Sequence, residues 1–152
     1  MMTDTPYDIR IINSLIKTTI DSVDGYRAAA ESVDTGRFVD IFFDRANERE
    51  DVATRLQEAV TAMGGNPEDD GSMLAGAHRS FMGLKDAVMG NDEQAIVSEV
   101  ERGEDVIKAK YEEALKDNDL SQQARSLITD CYTSVKEGHD QMRDLKHNLS
   151  NA

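Results

Sequence analysis

The chain has 152 residues, 39% hydrophobic and 31% charged, a balance typical of one globular domain rather than a disordered chain. Its formal charge is −13, from 17 Lys and Arg against 30 Asp and Glu. The negative field of this charge repels phosphate groups, and no stripe of basic residues interrupts it. We therefore expect neither nucleic acids nor membranes as partners.

A single cysteine, Cys131, rules out an intramolecular disulfide and favours a reducing compartment. Its position in an apolar helical register predicts a small, buried core residue. The first residues lack the pattern of a signal peptide, and no apolar stretch approaches the roughly 20 residues needed to span a bilayer. We therefore expect a cytoplasmic protein.

Four long stretches repeat apolar residues every three or four positions, which predicts four α-helices. The first two are expected over residues 6–32 and 37–63, and Gly64-Gly65 gives the second a strong C-terminal signal. The last two are expected over residues 92–116 and 121–149, with Ser121 as the cap of the last helix.

A shorter fifth helix is expected over residues 72–89, within the long connection between the second and third long helices. Short connections join the other neighbours into two antiparallel hairpins. The 64–91 connection is long enough to return along the bundle, which leaves the second and third long helices parallel. The predicted fold is an all-α, ferritin-like, up-down-down-up four-helix bundle, forming a single domain over residues 1–152.

Charged residues on all four long helices fall at one predicted depth, roughly 14–21 Å from one end at 1.5 Å per residue. Residues 44–51 of the second helix are almost without apolar side chains, and burial of such groups requires pairing or a metal. Gly103 and Gly138 leave room at the same depth. The candidate metal ligands of this layer are Asp24, Glu48, Asp51, Glu101, Glu104 and His139.

Dinuclear carboxylate bundles place one Glu on each of two helices and a Glu-x-x-His pair on each of the other two. Here the second helix has Glu48-x-x-Asp51 and the fourth has Lys136-x-x-His139. Two of the six expected ligands therefore differ.

Three interpretations of the layer stay open. The first is a structural ion-pair layer, in which Arg45 and Arg49 pair with Glu101, Glu104 and the aspartates of the first helix. The second is an iron or manganese site with fewer ligands. The third is a solvent-exposed face.

Four stretches of the chain are distinctive in combination: Asp21-x-x-Asp24-Gly25-Tyr26, Ala46-x-x-Arg49 leading to Leu56-Gln57, Gly64-Gly65-Asn66-Pro67 and Glu101-Arg102-Gly103-Glu104-Asp105. With His139-Asp140, they resemble a bacterial four-helix-bundle family, a domain of unknown function in the ferritin-like superfamily, over about residues 9–145. The resemblance implies the fold but no particular activity. Ferritin-like relatives bind di-iron, whereas this chain differs at Asp51 and Lys136.

The expected function is that of a non-enzymatic, stress- or housekeeping-related bundle that self-associates through an outer helix face. One alternative is a carboxylate-bridged oxidase or metal store that uses iron or manganese as its cofactor. The other is an acidic helical adaptor for a protein partner.

Overall fold

A computed structural model describes residues 5–33, 36–69 and 93–150, and within these ranges all regular structure is helical. The helices are α1 (Thr5–Ser32), α2 (Gly36–Ala62), α3 (Glu93–Leu115) and α4 (Gln122–Ser150). Each end lies within one residue of its predicted position. The helix predicted over residues 72–89 lies outside the described residues.

Hydrogen bonds near the helix ends fix the directions of the helices. The side chain of Asn13, early in α1, donates to the carbonyl of Asn66, just beyond α2, at 3.0 Å, so α1 and α2 are antiparallel. The carboxylate of Asp8 in α1 accepts the backbone N–H of Ser121, just before α4, at 3.1 Å, so α1 and α4 are parallel. The short α3–α4 connection makes these two helices antiparallel, which completes the predicted up-down-down-up order.

Local signals in the sequence explain where two of the helices end or begin. Gly64 adopts a φ of 87°, a left-handed conformation that glycine adopts without steric cost, directly after the last turn of α2. The hydroxyl of Ser121 accepts the backbone N–H of Ala124 at 3.1 Å and so caps α4. Both features confirm the predicted boundaries.

Two apolar clusters fill the bundle, one above and one below a polar level near mid-height. The cluster near the α1–α2 connection includes Tyr26, Phe42, Ile96 and Met142. The cluster at the opposite end includes Ile12, Ile16, Leu56, Tyr111, Ile128 and Cys131. Cys131 is a fully buried free thiol, as its register predicted.

Among the described helices, none combines the length and the apolar character that a membrane crossing requires.

Candidate functional site

An ion pair between Arg49 of α2 and Glu104 of α3 lies at the polar level of the bundle. Its two hydrogen bonds run from Nη1 to Oε1 at 2.7 Å and from Nη2 to Oε2 at 2.5 Å. Both side chains are 0% exposed. Arg49 follows Phe42 and Ala46 on the inward stripe of α2, so helical periodicity carries its side chain into the core.

Arg49 makes two further hydrogen bonds, one to each helix besides α2 and α3. Nη1 donates to the hydroxyl of Ser22 on α1 at 2.7 Å, and Nη2 donates to the carbonyl of Val135 on α4 at 3.2 Å. One guanidinium therefore links all four helices at a single level.

The electrostatics of the pair keep Arg49 charged in the core. Burial acts to lower the pKa of Arg49, but the charge and hydrogen bonds of Glu104 outweigh it, so the pKa stays above its ordinary value. Paired guanidinium–carboxylate bonds of this kind are stronger than bonds between neutral groups. Breaking the pair from one side would leave an uncompensated charge in an apolar interior.

Tyr26 lies beside this pair, with its ring centroid 5.7 Å from Cζ of Arg49. Its hydroxyl and Nε of Arg49 are both buried and have no hydrogen-bond partner among the described residues. Burial, followed by the negative charge of Glu104, raises the pKa of Tyr26 well above its usual range. The tyrosine is therefore neutral and, in this environment, a poor proton donor.

Arg45 forms a second, partly exposed polar group at the edge of the layer. Its Nη1 donates to Oε2 of Glu48 at 2.8 Å, and its Nε donates to Oε1 of Gln141 at 2.6 Å. Ser134 of α4 donates its hydroxyl to the other oxygen of Glu48 at 2.5 Å. Both oxygens of Glu48 are therefore engaged within the protein.

The predicted ion-pair partners are confirmed for Arg49 and Glu104, but the prediction for Arg45 was wrong. Arg45 pairs with Glu48 on its own helix, one turn away, rather than with Glu101 or the aspartates of α1. Glu101 instead accepts a hydrogen bond from Lys146 of α4 at 3.3 Å. The reason is the direction of the side chain, because Arg45 faces Gln141 on α4 and not Glu101 on α3.

The prediction that Asp24 and Asp51 point into the layer was also wrong, because both are exposed. Asp24 follows the buried Ser22 by two residues, and Asp51 follows the buried Arg49 by two. A helix turns about 100° per residue, so a step of two carries a side chain to the opposite face. Both residues lie at the predicted depth, but they point outward.

A second cluster, the α3–α4 triad, consists of Glu101, Asp105 and His139. One ligand atom from each lies within 4.8 Å of the other two. Nε2 of His139 is 2.7 Å from Oδ1 of Asp105. The side chain of His139 is 12% exposed and that of Glu101 is 14% exposed, whereas Asp105 is 57% exposed.

The triad joins two residues predicted as ligands with one that the prediction missed. Glu101 and Asp105 are four residues apart on α3, a spacing that places both carboxylates on one helix face. That spacing was the available signal for Asp105. His139 reaches the same face from α4.

The other ring nitrogen of His139 also meets a carboxylate. Nδ1 lies 3.2 Å from Oδ1 of Asp140, and the pKa of Asp140 is lowered, first by this hydrogen bond. Arg143 lies 3.5 Å from the same oxygen.

The six predicted ligands therefore do not form one cluster. Glu104 lies in the core, Glu48 at the edge of the layer, and Glu101 and His139 in the triad on the outer side of α3 and α4. Asp24 and Asp51 lie on exposed faces.

Comparison with known proteins gives one family match. The model of a family described as "Domain of unknown function (DUF2383)" matches residues 8–117, a range that includes α2, α3, all but the first three residues of α1, and the core ion pair. Comparison with curated proteins finds no match.

Proposed function

The chain belongs to the family described as a domain of unknown function (DUF2383), and we propose its function from its geometry. We propose that it is a non-enzymatic helical bundle that acts by binding partners at its surface. The observation that carries this proposal is the fully buried ion pair between Arg49 and Glu104. It lies between facing helices in the bundle core, the region in which helical carboxylate proteins build their metal sites. A permanent positive charge at this level takes the electrostatic role that a cation would have.

The side chains at this level do not fit a dinuclear iron or manganese centre. Both oxygens of Glu104 accept hydrogen bonds from Arg49, and both oxygens of Glu48 are engaged by Arg45 and Ser134. Of the histidines that the structure describes, His139 lies nearest this level, and its ring nitrogens pair with Asp105 and Asp140 rather than with Glu48 or Glu104. The geometry therefore supports neither a carboxylate-bridged oxidase nor a dinuclear metal store.

A surface role agrees with the other properties of the chain. The formal charge of −13 favours cations and basic protein surfaces as partners over nucleic acids or anionic lipids. The single buried thiol suits a reducing compartment, so the proposal includes a cytoplasmic location.

Iron loading tests the proposal directly. Protein purified without chelator receives two equivalents of Fe(II) without oxygen and is then exposed to air. We expect no oxo-bridged absorption band. In crystals of the unaltered protein soaked with Mn(II), we expect no anomalous peak beside Glu104.

Two ions per chain at the core, together with an oxygen-dependent band, would overturn the proposal. Because the crystal uses the unaltered chain, this result does not depend on how any variant folds. A single ion bound elsewhere leaves the proposal intact.

A further inference from the structure

The α3–α4 triad has the donor set and the shape of a small cation site. Glu101 and Asp105 present carboxylate oxygens one turn apart on α3, and His139 presents an imidazole nitrogen from α4. Ligands bound at about 2.0–2.2 Å to one ion lie roughly 3–4 Å from one another. The observed limit of 4.8 Å between the three atoms requires only small side-chain rotations.

The ring of His139 lies between two carboxylates. Its two ring nitrogens face two carboxylates, Asp105 at 2.7 Å and Asp140 at 3.2 Å. A neutral imidazole carries one proton and can donate to only one of them. When the proton is on Nδ1, the lone pair of Nε2 faces the carboxylate of Asp105, and a cation bound at Nε2 would separate the two.

The surrounding charges leave room for a cation. Three carboxylates meet here, those of Glu101, Asp105 and Asp140. Two basic side chains approach them, with Lys146 at 3.3 Å from Glu101 and Arg143 at 3.5 Å from Asp140. Asp105 pairs with His139 and is 57% exposed, so an ion from solvent can reach its carboxylate.

We propose that the α3–α4 triad binds one divalent transition-metal ion, with Glu101, Asp105 and His139 as its protein ligands. The ion takes the lone pair of Nε2, while Nδ1 keeps its proton and donates it to Asp140. Metal-bound histidines commonly donate their other ring N–H to a carboxylate in this way, which fixes the tautomer and the ring orientation. Asp140 is then a positioning residue rather than a ligand.

The ligand types select the class of ion. Mg²⁺ and Ca²⁺ prefer oxygen ligands alone, whereas an imidazole with two carboxylates suits Zn²⁺ and its neighbours in the first transition row. Three protein ligands leave a tetrahedral ion with one position for water. The exposed side of Asp105 gives the ion a path from solvent. This site lies outside the core, so it goes beyond the function proposed above.

The test is calorimetric titration of the full chain with ZnCl₂ near pH 7.5, where an ordinary histidine is neutral. We expect one Zn²⁺ per chain and no competition from excess Mg²⁺. His139→Gln should weaken binding by more than the roughly 10- to 100-fold typical of losing an outer partner, and Asp140→Asn by about 10-fold. Zinc-edge diffraction from the unaltered protein should give one anomalous peak between α3 and α4.

His147→Gln is the matched control, because His147 is an exposed histidine on the same helix and lies outside the triad. It should leave zinc binding unchanged. Equal weakening in both histidine variants, several weak sites that survive His139→Gln, or no binding would overturn the proposal. Circular dichroism of each variant excludes loss of the fold, and Asp105→Asn provides a second ligand variant at an exposed position. None of these outcomes alters the test of the core, which depends on Glu104.

Discussion

The backbone of Gly138 on α4 lies directly against the guanidinium of Arg49. A Cβ added at Gly138 would overlap Nη2 of Arg49 and would lie 3.0 Å from Oε2 of Glu104. The buried ion pair therefore depends on the absence of a side chain on the neighbouring helix. Glycine is otherwise unfavourable within a helix, by about 1 kcal/mol relative to alanine.

Gly138→Ala should lower the free energy of unfolding by about 1–3 kcal/mol, the usual cost of overpacking a core, although alanine favours the helix. Urea denaturation provides the measurement. Gly36→Ala is the control, since a Cβ at Gly36 meets nothing within 4 Å. Equal stability of the two variants would show that Arg49 moves aside without cost.

Glu104→Gln should destabilise the protein by about 3–5 kcal/mol, because it leaves the charge of Arg49 buried without its counterion. The double variant Arg49→Met, Glu104→Leu removes both charges and should recover most of this loss. Denaturation of Arg49→Met alone, of Glu104→Leu alone and of the double variant completes a thermodynamic cycle. Losses that simply add would contradict a coupled pair.

Tyr26 and Tyr111 are both fully buried, but their hydroxyl groups differ. The Tyr111 hydroxyl lies 2.7 Å from that of Thr19, whereas the Tyr26 hydroxyl has no hydrogen-bond partner among the described residues. Tyr111→Phe should therefore lower the free energy of unfolding by about 0.5–1.5 kcal/mol, and Tyr26→Phe should leave it unchanged or raise it slightly. A comparable loss in both variants, measured by urea denaturation, would contradict this difference.

The fold could be predicted because its signals are local. Apolar residues at steps of three and four mark the helices, and Gly64 and Ser121 mark where helices end and begin. Connection lengths then determine the order of directions. The polar level could also be predicted, since an arginine at position 49 interrupts the apolar stripe of α2.

The composition of the site could be predicted only in part, for a geometric reason. Sequence position gives the depth of a residue along a helix, and on that basis Asp24 and Asp51 were placed correctly in height. The direction of a side chain changes by about 100° per residue, so a small error in rotation moves it from core to solvent. Whether Arg45 pairs with Glu48 or with another carboxylate depends on side-chain rotamers, which helical periodicity does not determine.

The thiol and the two tyrosine hydroxyls buried in the core predict a loss of stability in alkaline solution. Burial raises the pKa of Cys131 to about 11 from its ordinary 9, and it raises the pKa of Tyr26 and Tyr111 in the same direction. Above about pH 9 the unfolded chain therefore releases protons that the native chain keeps. The contribution of Cys131 to the free energy of unfolding is fully present below pH 9 and is lost as the pH rises to about 11.

Urea denaturation at pH 8 and pH 10.5 should show this fall in stability. Cys131→Ala should make the fall smaller, and it should change stability at pH 8 by a separate amount that comes from packing. An identical fall in the variant and the unaltered chain would mean that the native thiol ionises as readily as the unfolded one.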